Sequence, residues 1–112
     1  MSREYRLFLQ DMRKASEKVI RFTHGLTREQ FVADEKTFDA VMRDLEIIGE
    51  AAKHIPPDVR LKYPTIEWQK IAGLRDVVAH EYFGLDLDII WDIITREVPA
   101  LPKQLSSISD CQ

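Results

Sequence analysis

The feature that most constrains the fold is a helical apolar period that recurs along the chain and is cut by glycine and proline. Phe8, Met12, Ala15, Val19 and Phe22 follow one another at alternating steps of four and three, which places them on one stripe of a helix. Gly25 supplies a stop. Thr27-Arg28-Glu29-Gln30 has the form of a capping box and predicts a short helical turn. Asp34 is the expected N-cap of a long helix with Phe38, Val41, Leu45, Ile48, Ala52 and Ile55 on its inner stripe. Pro56-Pro57 ends that helix, because proline has no amide to donate and biases the residue before it away from helix. A connector from Asp58 to Pro64 leads to Thr65, the expected cap of a third helix marked by Trp68, Ile71, Leu74 and Val78 and interrupted at Gly84. Asp86 is the expected cap of a fourth, striped by Leu87, Ile90, Ile94, Val98, Leu101, Leu105 and Ile108. Pro99 and Pro102 should kink or restart it with the apolar face kept in phase. No strand-type alternation competes. The pattern predicts an all-α fold: one domain over residues 1–112, an antiparallel bundle of four main helices plus short helical turns, with residues 106–112 as a loose tail.

With 45% hydrophobic and 31% charged residues, the chain has the composition of an ordinary folded domain and not of a disordered one. No apolar run approaches the roughly 20 residues of a membrane helix. Met1-Ser2-Arg3-Glu4-Tyr5 lacks the apolar core of a secretion signal. Cys111 is the single cysteine, so no disulfide can form within the chain. A cytoplasmic protein with no membrane partner is the expectation. The net charge of −3 sits awkwardly with a nucleic-acid partner, but the charge is uneven. Residues 1–24 carry six basic and three acidic groups, and residues 53–75 carry five (Lys53, Arg60, Lys62, Lys70, Arg75) against two (Asp58, Glu67). Residues 25–52 and 76–112 are acidic. Two basic segments can form a strip that attracts phosphate, although charge alone fits solvated helix faces as well.

There is no glycine-rich phosphate loop, no paired-cysteine zinc pattern and no nucleophile elbow. His24, His54 and His80 follow no metal-ligand spacing, so no metal or cofactor is expected. His24 and His54 fall near helix ends, where a histidine favourably meets the helix dipole. Trp68 and Trp91 fit burial better than ligand stacking. Gly49 is out of place inside a helix, where glycine costs about 0.5–1 kcal/mol relative to alanine; close packing of another helix against it is the expected reason. One segment gathers chemistry: Arg75-Asp76-Val77-Val78-Ala79-His80-Glu81-Tyr82-Phe83-Gly84. On a helix, Arg75 and Tyr82 are seven apart and nearly eclipsed, with Ala79 as a small gap between them, and Asp76 and His80 are four apart and able to touch. Read by itself, such a cluster fits an exposed ion pair beside an amphipathic tyrosine better than a site.

Arg75-x4-His80-x-Tyr82 resembles the RX4HXY motif of the HepT-like HEPN family. The likeness extends to Arg43-Asp44-Leu45-Glu46-Ile47-Ile48-Gly49-Glu50-Ala51-Ala52-Lys53, to Tyr63-Pro64, Trp68 and Ile71-Ala72-Gly73-Leu74-Arg75-Asp76, and to Tyr82-Phe83-Gly84-Leu85-Asp86, covering nearly the whole chain from Met1 to about Leu105. The resemblance implies a HEPN-type helical bundle, commonly a homodimer with the Arg/His motifs of both subunits meeting at the interface. It implies a metal-independent endoribonuclease, the toxin of a type VII-like toxin–antitoxin system. The implied partner is a minimal nucleotidyltransferase, the MNT antitoxin, which neutralises the toxin by binding it or by adenylylating the motif tyrosine, here Tyr82.

The chemistry of these groups suits RNA, which carries its own nucleophile, the 2′-OH. Cleavage needs a base, an acid and positive charge for the phosphorane. His80 suits proton transfer near neutrality, Arg75 offers a fork matched to phosphate oxygens, and Asp76 can orient His80. The rival expectations are a non-catalytic HEPN subunit that presents substrate or nucleotide to a nucleotidyltransferase, which the acidic charge favours, and a purely structural helical dimer.

Overall fold

The computed structural model describes residues 4–81 and 87–108, with the backbone alone at His80 and Glu81. All regular structure among the described residues is helical. Helix α1 (Tyr5–Thr23) closes just before Gly25, whose φ of 78° is a backbone conformation glycine takes without a Cβ penalty. The capping box forms as expected: Thr27 Oγ1 accepts from the Gln30 amide at 3.1 Å, Gln30 Oε1 accepts from the Thr27 amide at 3.0 Å, and α2 (Arg28–Ala33) follows. Asp34 caps α3 (Glu35–Lys53), accepting from the hydroxyl and amide of Thr37 at 2.9 and 3.2 Å.

Pro56-Pro57 ends α3, but the segment after it is not a plain connector. Pro57 opens a helix of its own, α4 (Pro57–Lys62), since at the first helical position a missing amide costs nothing. From α4, Arg60 reaches back to α3: Nε donates to the Ile55 carbonyl at 2.9 Å and Nη2 to those of Ala52 and Lys53 at 2.9 and 3.3 Å. These carbonyls lie at and just past the C-terminal end of α3; that of Ala52 also accepts from the Ile55 amide at 3.3 Å, and the guanidinium adds a side-chain cap.

The third helix differs from expectation twice. Thr65 does not cap it; α5 (Trp68–Ala72) starts after Glu67, and the Trp68 indole Nε1 donates to the Tyr63 carbonyl at 3.1 Å. The run then breaks at Gly73, whose lack of a side chain weakens helix preference, and α6 (Leu74–Glu81) opens with the amides of Asp76 and Val77 both donating to the Gly73 carbonyl. The fourth run is α7 (Leu87–Asp92), a π-helical turn (Ile93–Glu97), a 3₁₀ turn (Val98–Ala100) and α8 (Leu101–Ser106). Pro99 and Pro102 lack the amides a regular ladder needs, so the helix widens and then tightens around them. The apolar face stays in phase all the same: Ile90, Ile94, Val98, Leu101, Leu105 and Ile108 are buried. Ile108 thereby anchors part of the stretch expected to form a loose tail. The expected stop at Gly84 and cap at Asp86 lie outside the described residues.

Helix α3 is the hub. It packs along α1 on one side and against α5 and α6 on another, while α1 also meets the 3₁₀ turn and α8. The pairing of α1 and α3 is antiparallel: Phe8, early in α1, stacks on His54, the residue that ends α3, with ring centroids 4.4 Å apart. Trp68 is buried, and Trp91, half-buried, packs against Phe31. Phe22, expected on the inner stripe of α1, is instead 36% exposed with the Arg21 guanidinium over its ring. No helix among the described residues is long and apolar enough to cross a membrane.

The core also takes in a carboxyl. Asp44 on α3 is only 6% exposed. Burial raises its pKa from the ordinary 3.8, and Lys18, Arg43 and Arg21 oppose the rise. A folded-state pKa raised above the unfolded one gives stability that is present below pH 3.8 and lost as the pH climbs through the folded value. Asp44→Asn removes the buried charge, so its melting temperature should exceed that of the native protein at pH 7. The gain should shrink as the pH falls toward 4. Thermal unfolding followed across this range checks both the sign and the trend; a constant difference would show that the Asp44 charge is not its source.

Candidate active site

Helix α6 carries Arg75, Asp76 and the backbone of His80, and its seat on α3 decides where Arg75 and Asp76 lie. That seat is Gly49. A Cβ at this position would lie 2.7 Å from the Arg75 backbone nitrogen, 3.3 Å from the Ala72 carbonyl oxygen and 3.4 Å from the Arg75 Cβ. The helix expected to pack closely on Gly49 is thus α6, and the point of contact is Arg75 itself. The next residue of α3 takes hold of the other end of the same side chain. Glu50 accepts from Arg75 Nη1 with both carboxylate oxygens, at 3.1 Å (Oε1) and 2.9 Å (Oε2). The two side chains are 50% (Arg75) and 44% (Glu50) exposed. Solvent screening at that exposure limits such a pair to about 0.2–1 kcal/mol, enough to orient a head group and too little to lock it away.

Leu74 and Val78 are buried, which turns Arg75 and Asp76 outward; both are exposed, with Asp76 on the first turn of α6. The His80 backbone lies one helical turn beyond Asp76, on the same side of α6. The His80 side chain and the whole of Tyr82 lie outside the described residues, so the expected contacts of Asp76 with His80 and of Arg75 with Tyr82 do as well. Glu50 was not singled out from the sequence. It stands 25 positions from Arg75, and helical spacing reports only neighbours three, four or seven apart on one helix.

Of the five cations in residues 53–75, one of the two basic segments expected to form a strip, three are engaged by other groups. Arg60 caps α3, Arg75 pairs with Glu50, and Lys70 pairs with Glu97, which raises the Lys70 pKa through the hydrogen bond and the charge of that partner. A cavity of about 320 Å³ opens between α5 and the fourth helical run, floored by Ile71, Leu74 and Leu101 and rimmed by Lys70, Arg96 and Glu97. Arg75 does not line it. Arg75 and Asp76, the site residues whose side chains are described, are exposed on α6.

Residues 12–108 match the family described as Ribonuclease HepT-like. The chain belongs to the HepT-like ribonuclease family. A protein of Methanocaldococcus jannaschii provisionally named an RNase is 42% identical over 106 residues, 95% of this chain and 88% of its own length. A Thermococcus cleftensis protein, provisionally named ribonuclease HepT, is 41% identical over 108 residues, 96% and 98% of the two chains. A third relative, from Caldanaerobacter subterraneus subsp. tengcongensis and also provisionally named an RNase, is 42% identical over 103 residues, 92% of each chain. No solved structure matches the chain.

The seat on Gly49 gives a prediction. In an exposed helix, glycine to alanine would stabilise by about 0.5–1 kcal/mol. Here the new Cβ meets backbone atoms, which cannot swing aside, and overpacking of this kind costs about 1–3 kcal/mol. Gly49→Ala should therefore lower the denaturation midpoint. An unchanged or raised midpoint would show that α6 does not rest on Gly49 as described.

Proposed function

We propose that this chain is a metal-independent endoribonuclease and the toxin of a type VII-like HEPN/MNT toxin–antitoxin pair. The observation that carries the reading is the placement of Arg75 in a chain of the HepT-like ribonuclease family. Its backbone is pressed on Gly49, its head group is paired with Glu50, and it stands on the helix that also bears His80.

In the proposed mechanism Arg75 holds the scissile phosphate and neutralises the phosphorane, and His80 moves a proton. The 2′-OH attacks phosphorus, the P–O5′ bond breaks, and the 5′-oxygen leaves with a proton. One fragment keeps a 2′,3′-cyclic phosphate and the other a 5′-hydroxyl. The RNA supplies the nucleophile, so no metal-bound water is called for. Asp76 orients His80. One chain offers one His80, whereas a base and an acid are both needed. A homodimer that brings Arg75 and His80 of two subunits into one cleft supplies both, and the exposure of Arg75 is compatible with this arrangement. Tyr82, two residues past His80, is the proposed adenylylation target of the MNT antitoxin. A phosphate diester placed there would occupy Arg75 and block the substrate together.

His80→Ala and Arg75→Ala should each lower turnover by about 10²–10⁴-fold with the helical circular dichroism unchanged, and cleavage should survive a chelator. Tyr82→Phe should keep part of the cleavage and gain no adenylate mass when incubated with the partner nucleotidyltransferase and ATP. Native-rate cleavage by His80→Ala, or activity that vanishes with a chelator and returns with magnesium, would overturn the mechanism. A native protein that binds RNA without cutting it would favour the non-catalytic presenting subunit.

A further inference from the structure

Glu50 is the group the described structure ties to Arg75, and nothing in the cleavage chemistry above uses it. We infer that Glu50 is a positioning residue: it holds the Arg75 guanidinium by one corner and turns the opposite edge toward the RNA phosphate. The inference rests on the reading of Arg75 as the phosphate-holding group.

Both carboxylate oxygens accept from the same nitrogen, Nη1, at 2.9 and 3.1 Å, and neither Nη2 nor Nε takes part in that contact. A guanidinium presents its donors as a rigid planar fork. With Nη1 engaged, the Nη2–Nε edge remains, and two parallel donors on one edge match two phosphate oxygens. The other end of the side chain is set independently, because Gly49 brings the α3 backbone against the Arg75 nitrogen and Cβ. Adjacent residues of one helix thus fix the root and the head of a long side chain that would otherwise sample many rotamers. Half of the Arg75 side chain is exposed, so the guanidinium is not sealed inside the core.

A carboxylate near a phosphate site can also act as a competitor that the RNA must expel. The two roles predict opposite effects. A scissile diester carries one negative charge and the phosphorane about two, so an oriented cation favours the transition state over the bound substrate. Positioning therefore appears in kcat and competition in KM.

The test uses the full chain and a fluorophore–quencher RNA. Glu50→Ala should lower kcat about 10–100-fold, the scale on which small misplacements are felt, with KM little changed. Glu50→Gln keeps one acceptor oxygen and should recover part of the loss. In an Arg75→Lys background, where the ammonium has no second edge to present, Glu50→Ala should cost nothing further; a structural role would cost the same in both backgrounds. A second readout needs no activity: the Arg75 Nη resonances in a nitrogen-15 spectrum should be distinct in the native protein and averaged in Glu50→Ala. Native or faster cleavage by Glu50→Ala, with Arg75→Ala inert, would overturn the positioning role and leave the cleavage assignment standing. Normal cleavage by Arg75→Ala would overturn the cleavage assignment and the role of Glu50 with it. If the native protein cuts no RNA, the cleavage assignment fails, and a guanidinium spectrum unaltered by Glu50→Ala would then also overturn the hold on Arg75.

Discussion

The arrangement of the motif helix depends on one close approach, the Arg75 backbone against Gly49. Two helices carrying ordinary side chains at their contact are held apart by those side chains. Here the contact contains a residue with none, and α6 comes near enough that even a methyl group would strike the backbone nitrogen of Arg75. Glycine in mid-helix sacrifices about 0.5–1 kcal/mol of helix stability relative to alanine. That cost falls on α3, the helix that packs against α1, α5 and α6. A shift of α6 outward by the width of a methyl would carry Arg75 away from Glu50, since the same turn of α3 bears both contacts.

Much of this was legible in the sequence, and what was not has a common cause. The caps at Thr27 and Asp34 are local chemistry, a side chain answering amides within one turn, and they form as the sequence indicates. The apolar stripe of the last helical run persists through a π turn and a 3₁₀ turn because burial, and not the hydrogen-bond ladder, sets its phase. The need for close packing at Gly49 was legible as a misfit, a glycine where alanine would serve a lone helix better. Its partner was not, and neither was Glu50, because the residues they meet lie on another helix. The remaining misses are proline and glycine acting in a second capacity. Pro57 ends one helix and begins the next, and Gly73, unremarkable in a helical pattern, divides the third run in two.

Electrostatics at the site are local. The protein carries a net charge of −3, and several cations that might have formed a basic strip are committed elsewhere: Arg60 to the carbonyls ending α3, Lys70 to Glu97. Long-range attraction of a polyanion is correspondingly weak, and screening at physiological salt confines what remains to about 8 Å. On the proposed function, RNA would be engaged through a few directed contacts and not through a broad positive field. Directed contacts place a premium on orientation, which an ion pair to a neighbouring carboxylate can supply and a diffuse patch cannot.

The same reasoning bears on how such a site can be regulated. Arg75 in the proposed mechanism faces three anions in turn: the Glu50 carboxylate, the RNA phosphate and, after modification, the phosphate carried by Tyr82. A deeply buried Arg–Glu pair would hold on to its partner, because removing one member strands the other charge in a poor solvent. A half-exposed pair carries no such penalty. Glu50 can steady the guanidinium while leaving one edge open to whichever phosphate arrives. A phosphate tethered two residues from His80 would arrive at an effective concentration that free RNA does not match, so modification need not distort the bundle to silence it. Exposure of the ion pair, which makes it a minor contributor to stability, is the property that in the proposed mechanism would let one arginine serve both a substrate and a switch.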